Sequence, residues 1–243
     1  MLLELFANTN DGEKTEAIEN LIAHSSPRTQ FFFMIMLSVA MATVGTLLNS
    51  TVILIASMLI APLLYPVLSL AMGFVMGDMH LASRSSITLG KAVLTAIGAS
   101  AVLGFFLRPQ IFDATGLTAQ VTNPEFLLLS AVVAIVAGVA GSYALIKKEF
   151  SEHLTGVAIA VALVPPLAAV GVGLSMLNFD LARGAFLLFV INILGIVSSA
   201  TVVFSLFRLS TERSVAVKAV KVEEKEVAKE KEEVAKEKEA EAS

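Results

Sequence analysis

The stretch IAPLLYPVLSLAMGFVMGD, residues 60–78, sets two prolines four residues apart inside a run apolar enough to enter a bilayer. Proline has no N–H to donate and costs about 3 kcal/mol in a helix interior. A peptide carbonyl left without a partner in hydrocarbon adds a further penalty. A segment of this kind crosses a membrane only as a broken helix whose freed carbonyls face protein or a watered cavity.

The rest of the chain favours such a crossing. Of 243 residues, 56% are hydrophobic, against roughly 45–50% apolar usage in soluble domains. Apolar runs of about twenty residues recur, each long enough for the roughly 30 Å hydrocarbon core. We place six spans at residues 29–48, 51–77, 87–107, 126–146, 154–177 and 181–207. The expected fold is an all-α integral membrane protein. Residues 1–27 read as an amphipathic cytoplasmic segment, because Glu4, Asp11, Glu13, Lys14, Glu16 and Glu19 interrupt its apolar positions where a secretory signal would have none. Residues 109–125, with Pro109, Gly116 and Pro124, read as an external loop, and Asn49-Ser50 as a tight turn rather than a glycosylated site. Lys14, Arg28, Arg84, Lys91, Lys147, Lys148, Arg213, Lys218 and Lys221 fall on one side of a six-span topology, so both termini are expected in the cytoplasm.

Sliding the sequence by one hundred residues brings Pro66 onto Pro166, Gly73 onto Gly173, Met76 onto Met176 and Leu81-Ala82 onto Leu181-Ala182. The offset persists without gaps from Ile35 on Ile135 to Arg108 on Arg208, which divides the membrane region into repeats at 28–108 and 126–208. Three spans per repeat is an odd number, so the second copy enters the bilayer from the opposite side. The expected architecture is two inverted three-helix repeats, with the second and fifth helices interrupted at prolines in equivalent places.

Those interruptions mark the candidate pathway. Pro62 and Pro66 leave the carbonyls of Met58 and Pro62 without helical donors, and Pro165 and Pro166 do the same for Val161 and Ala162. Tyr65 brings a hydroxyl beside the first break, Ser69 a second one, and Asn192 an amide deep in the sixth span. Asn192 is either interhelical glue or a pathway group. Lys91 reads as snorkelling to the interface, and Asp78, His80, Asn178 and Asp180 as caps of the helices that follow the broken spans. The tail at residues 209–243 carries Val220, Val227 and Val234 at seven-residue spacing among Glu and Lys, which suits either a solvated helix or a partner-binding one.

Catalytic and metal-binding constellations do not emerge. His24, His80 and His153 lack ligand spacing to one another, there is no cysteine, and no phosphate-cradling glycine loop is present. The sequence points away from an enzyme, a cofactor and a nucleic-acid partner.

The segments NSTVILIASMLIAPLLYPVLSLAMGFVMGD (49–78), LTGVAIAVALVPPLAAVGVGL (154–174) and FLLFVINILGIV (186–197) closely resemble the prokaryotic membrane family called domain of unknown function 389. That resemblance implies a bacterial or archaeal multi-pass protein of the cell (inner) membrane and brings no substrate or functional residue with it. The expected function is a channel or secondary transporter for a small solute or ion, passing the broken helices, in a homo-oligomer within the lipid bilayer. The alternatives are a scaffold or sensor acting through the cytoplasmic tail, or a protein that binds a lipid or other amphiphile between the repeats.

Overall fold

The computed structural model describes residues 10–107, 114–147, 149–150 and 162–241. Every regular element among them is helical: α1 (Asp11–His24), α2 (Thr29–Leu47), α3 (Thr51–Ile60), α4 (Leu64–Met76), α5 (Met79–Leu107), α6 (Ala114–Thr122), α7 (Pro124–Ile146), α8 (Val164–Ser175), α9 (Phe179–Leu206), a 3-10 turn (Leu209–Glu212) and α10 (Arg213–Glu241). Helices α2, α5, α7 and α9 are each long and apolar enough to cross a bilayer, and α3 with α4 makes a fifth candidate span bent by 55°. Of the expected span at 154–177, the first part, including Val161, lies outside the described residues. The part described, α8, has 12 residues, about 18 Å at 1.5 Å per residue and too short to cross alone.

The bend between α3 and α4 occupies residues 61–63. Ala61 is extended at φ −77°, ψ 122°, as the following Pro62 requires. Pro66 then falls at the third residue of α4, and Pro165 and Pro166 at the second and third residues of α8. Helix first turns have no intrahelical acceptor for their N–H groups, so proline there removes no bond. Pro66, Pro165 and Pro166 therefore start helices rather than kink them, and Tyr65, Val164 and Pro165, although each precedes a proline, belong to those helices. Near the end of α3 the Ser57 carbonyl accepts from Ser38 Oγ of α2 at 2.7 Å.

Local geometry recurs at the hundred-residue offset. Asp78 N donates to Gly73 O at 2.9 Å and Asn178 N to Gly173 O at 2.8 Å. Gly77 and Leu177 both take the left-handed conformation, at φ 61° and 57°. The Asp78 carboxylate accepts from the Leu81 N–H at 3.1 Å, and the Asn178 amide oxygen from the Leu181 N–H at 3.0 Å. Both residues cap the next helix, as expected from their position. A Cβ on Gly73 or Gly173 would stand 2.8 Å from the backbone nitrogen of Ala82 or Ala182, respectively, so each glycine lets one helix fold back tightly on the next.

Packing runs through the short helices. Helix α8 lies against α2, α5 and α9, while α4 lies against α5, α9 and α1. Ser100 Oγ donates to Ala168 O at 2.8 Å and accepts from Thr43 Oγ1, joining α5, α8 and α2 in a buried polar contact. Two boundaries differ from the sequence reading. Helix α5 starts eight residues before the expected span because Asp78 caps it, and the expected loop at 109–125 contains α6, whose Val121 is buried against Gly184 of α9.

At the end of the bundle that carries α1, the chain packs on itself. Ile18, Leu21 and Ile22 of α1 are fully buried, and burial of each such side chain is worth about 1.5–3 kcal/mol. Ala216, Val220 and Val227 of α10 are buried as well, whereas Val234 stays partly exposed. Arg28 Nη2 donates to Glu223 Oε1 and Oε2 at 3.0 and 2.7 Å and also pairs with Glu226. The Thr29 N–H at the start of α2 donates to Glu230 at 2.9 Å, and His80 pairs with Glu224 at 3.5 Å. The tail is thus a helix docked on its own chain. Hydrogen bonds to Glu223 raise the Arg28 pKa, and those from Thr29 hold the Glu230 carboxyl below its usual value.

Three outcomes follow from this packing. Gly73→Ala and Gly173→Ala should each lower stability by about 1–3 kcal/mol through overpacking, measured as thermal unfolding in detergent, while Gly98→Ala, with nothing within 4 Å of its Cβ, should not. A carboxyl whose folded pKa is depressed stabilises above its unfolded value, 4.5 for Glu230, and loses that contribution as pH falls through the folded value. Hydrogen exchange in α10 should therefore quicken as pH falls below the ordinary Glu230 value of 4.5, after correction for intrinsic rates. Arg28→Ala should hasten tryptic cleavage of the tail at neutral pH; equal cleavage in wild type and variant would contradict the docking.

Candidate functional site

A cavity of about 480 Å³ lies between α3, α6, α7, α8 and α9. Its floor is the start of α8, where Ala162, Pro165, Pro166 and Ala169 face Asn192 of α9. Met58 and Leu54 of α3 form one wall, Leu129, Val133 and Ala134 of α7 another, and Leu117, Gln120 and Val121 of α6 a third. Asn49 and Thr51, at the turn between α2 and α3, stand at the rim. No charged side chain lines it among the described residues.

The floor owes its form to the proline pair. With Pro165 and Pro166 in the first turn, α8 has to begin inside the protein, and the residue before its N-cap turns sharply: Ala162 has φ +41°. A non-glycine residue in this region costs on the order of 1–3 kcal/mol unless its surroundings hold it there. Asn192, only 5% exposed, provides one such restraint by donating from Nδ2 to the Ala162 carbonyl at 3.4 Å. This long bond meets a carbonyl that Pro166 cannot serve. Asn192 therefore holds the segment that leads into α8 and also lines the cavity.

Of the residues singled out by sequence, Met58, Ala162, Pro165, Pro166 and Asn192 converge on this cavity. Pro62, Tyr65, Pro66 and Ser69 are not in its lining. Tyr65 stacks on His24 of α1 with ring centroids 4.8 Å apart, Pro66 is buried in the first turn of α4, and Ser69 accepts from Ser85 Oγ at 2.8 Å. Val161 lies outside the described residues. The two proline breaks therefore do not share one cavity: the first contributes only Met58, from the end of α3, while Tyr65 beside that break packs on α1. Sequence reasoning missed α6, Asn49 and Gln120 as rim residues. The apolar pair Leu117 and Val121, four residues apart, was the signal available for α6.

Comparison with known proteins places the chain in a family. Residues 58–198 match the model of the family described as "Domain of unknown function (DUF389)", a region that takes in both proline breaks and Asn192. An uncharacterised protein of Methanocaldococcus jannaschii is 34% identical over 180 residues, covering 74% of this chain and 55% of that protein. The chain thus spans about half the length of that relative. No solved structure matches. From the extent of the match, this chain is a member of the domain of unknown function 389 family of membrane proteins.

Proposed function

We propose that the protein is a permease, a channel or secondary transporter for a small solute, whose pathway includes the cavity at the start of α8. The observation that carries this reading is a helix beginning inside an apolar bundle, at Pro165 and Pro166, with a buried amide opposite it and a cavity above it. Broken helices whose ends meet a substrate near the middle of the bilayer are a recurring device of transporters built on inverted repeats. The recurrence of the Gly73/Gly173 contacts and of the Asp78/Asn178 caps supports two such repeats, and with them six spans. Asymmetry between the two sides supports a carrier captured in one state: a cavity stands over the second break, while α1 and the His24–Tyr65 stack cover the first. We place both termini in the cytoplasm of a prokaryotic cell, the cavity mouth outside, and the chain in a homo-oligomer.

A second reading, a sensor acting through its tail, draws on the docking of α10 against Arg28. Swelling of proteoliposomes in isosmotic uncharged solutes, compared with potassium and chloride flux in the same vesicles, tests both. The permease reading expects protein-dependent flux at least severalfold above empty vesicles, strongly reduced by Pro166→Ala, less affected by Pro66→Ala, and retained after removal of residues 214–243. Flux equal to that of empty vesicles for every solute and ion, or flux lost with the tail alone, would oppose it.

A further inference from the structure

We infer that the cavity takes an uncharged amphiphile, a molecule with an amide or hydroxyl head and an apolar chain, and that this molecule reaches it sideways from the hydrocarbon. The inference rests on the permease reading for its role in transport, though the site itself does not depend on transport. Three observations converge on it.

The first is the charge of the floor. A helix N-terminus ordinarily offers its first N–H groups and a positive dipole end to an anion. Here Pro165 and Pro166 occupy the second and third positions of α8 and remove two of those donors. For a bare cation the floor offers, among the described residues, one carbonyl freed by the proline pair, Ala162 O, and Asn192 already donates to it. With no charged lining among the described residues, an ion would give up its hydration and receive little in exchange. Asn192 suits a neutral guest instead, since its amide oxygen and second N–H complement a donor and acceptor on one head group.

The second is the composition of the walls. Leu54, Met58, Leu129 and Val133 offer dispersion contacts but no hydrogen bonds, and apart from Asn192 the polar lining is confined to Thr46, Asn49, Thr51, Gln120 and Ser130, so the body of the guest is mainly apolar. The volume, about 480 Å³, falls in the range of small-ligand sites.

The third is the way in. Ile55 of α3 and Leu129 and Val133 of α7 line the cavity and are still 42%, 65% and 53% exposed. The wall between α3 and α7 is consequently open at these side chains. Leu129 and Val133 lie about 8 and 14 Å along α7 from its first residue, at 1.5 Å per residue. In a spanning α7 that depth is within the hydrocarbon and away from the aqueous surface. A guest arriving there comes from among the acyl chains, head group toward Asn192.

The chain has no tryptophan, which makes a quenching experiment direct. Leu129→Trp places a reporter in the cavity wall, and Leu94→Trp places a control on an exposed face of α5 that does not line the cavity. Both variants, full length in lipid nanodiscs, are titrated with 10,11-dibromoundecanamide and, at pH 9, with 10,11-dibromoundecanoate. We expect saturable quenching by the amide at position 129 over a linear background at position 94, and at least tenfold weaker saturation by the carboxylate. Adding Asn192→Leu to the reporter should weaken amide saturation about tenfold, and adding Val133→Phe, at an exposed wall position that tolerates bulk, should slow its onset. Equal quenching at the two positions, carboxylate binding as tight as amide binding, or indifference to both added substitutions would overturn the inference. Saturable amide binding in a protein that shows no flux would leave the site standing and remove the permease; flux of ions with no amide binding would do the reverse.

Discussion

A peptide group inside a bilayer must find its hydrogen-bond partner within the protein, and in this chain Pro62 and Pro166 each withhold a donor that a continuous helix would supply. The fold is arranged around that constraint. At the first break, Ala61 extends the backbone and Ser38 supplies a hydroxyl to the Ser57 carbonyl, just before the connector. At the second, Asn192 reaches across from α9 to the Ala162 carbonyl. Both bonds come from side chains on neighbouring helices, the first to the carbonyl one residue before that of Met58, which Pro62 leaves without a helical donor. The small residues do the rest: Gly171 admits Ser100, and Gly138 admits Ser199 and Ile196, with no room for a Cβ.

The two halves resemble each other in their turns and differ in what lies over their breaks. At the first, α1 with Ile18, Leu21 and Ile22 fills the space and His24 stacks on Tyr65. At the second, α6 stands aside as one wall of a cavity. A charge network from α10 fastens the covered side, through Arg28 and the tail glutamates. The two sides thus differ in what packs over them, α1 and the tail helix on one and a cavity on the other.

Much of this was legible in the sequence because it follows from local chemistry. Proline spacing marked the bend near Pro62 and the start of α8, Asp78 and Asn178 announced the helices they cap, and the fixed offset of one hundred residues paired Gly73 with Gly173, which make equivalent contacts. Other features depend on pairings that no local pattern encodes. Arg28 meets Glu223 across 195 residues of chain, and one valine per seven gave no hint whether the tail would turn to solvent, to a partner or back to its own helices. Tyr65 looked like a pathway group because it adjoins Pro66, but its ring is taken by His24 on an element whose docking was not readable. Helix α6 was hidden by Gly116, Thr118 and Thr122, which weaken helix propensity, and only burial of Val121 against α9 discloses why it forms.

The account stands or falls on whether the start of α8 is reachable from outside the protein. Because the sequence has no cysteine, Ala162→Cys, at the cavity floor, can be compared directly with Ala168→Cys, which is fully buried and outside the lining. In protein reconstituted in nanodiscs and treated with N-ethylmaleimide, intact-mass measurement should show Ala162→Cys modified at least tenfold faster than Ala168→Cys. Equal and negligible modification of the two, in variants that retain wild-type thermal stability, would mean that the floor is sealed and would contradict the central claim.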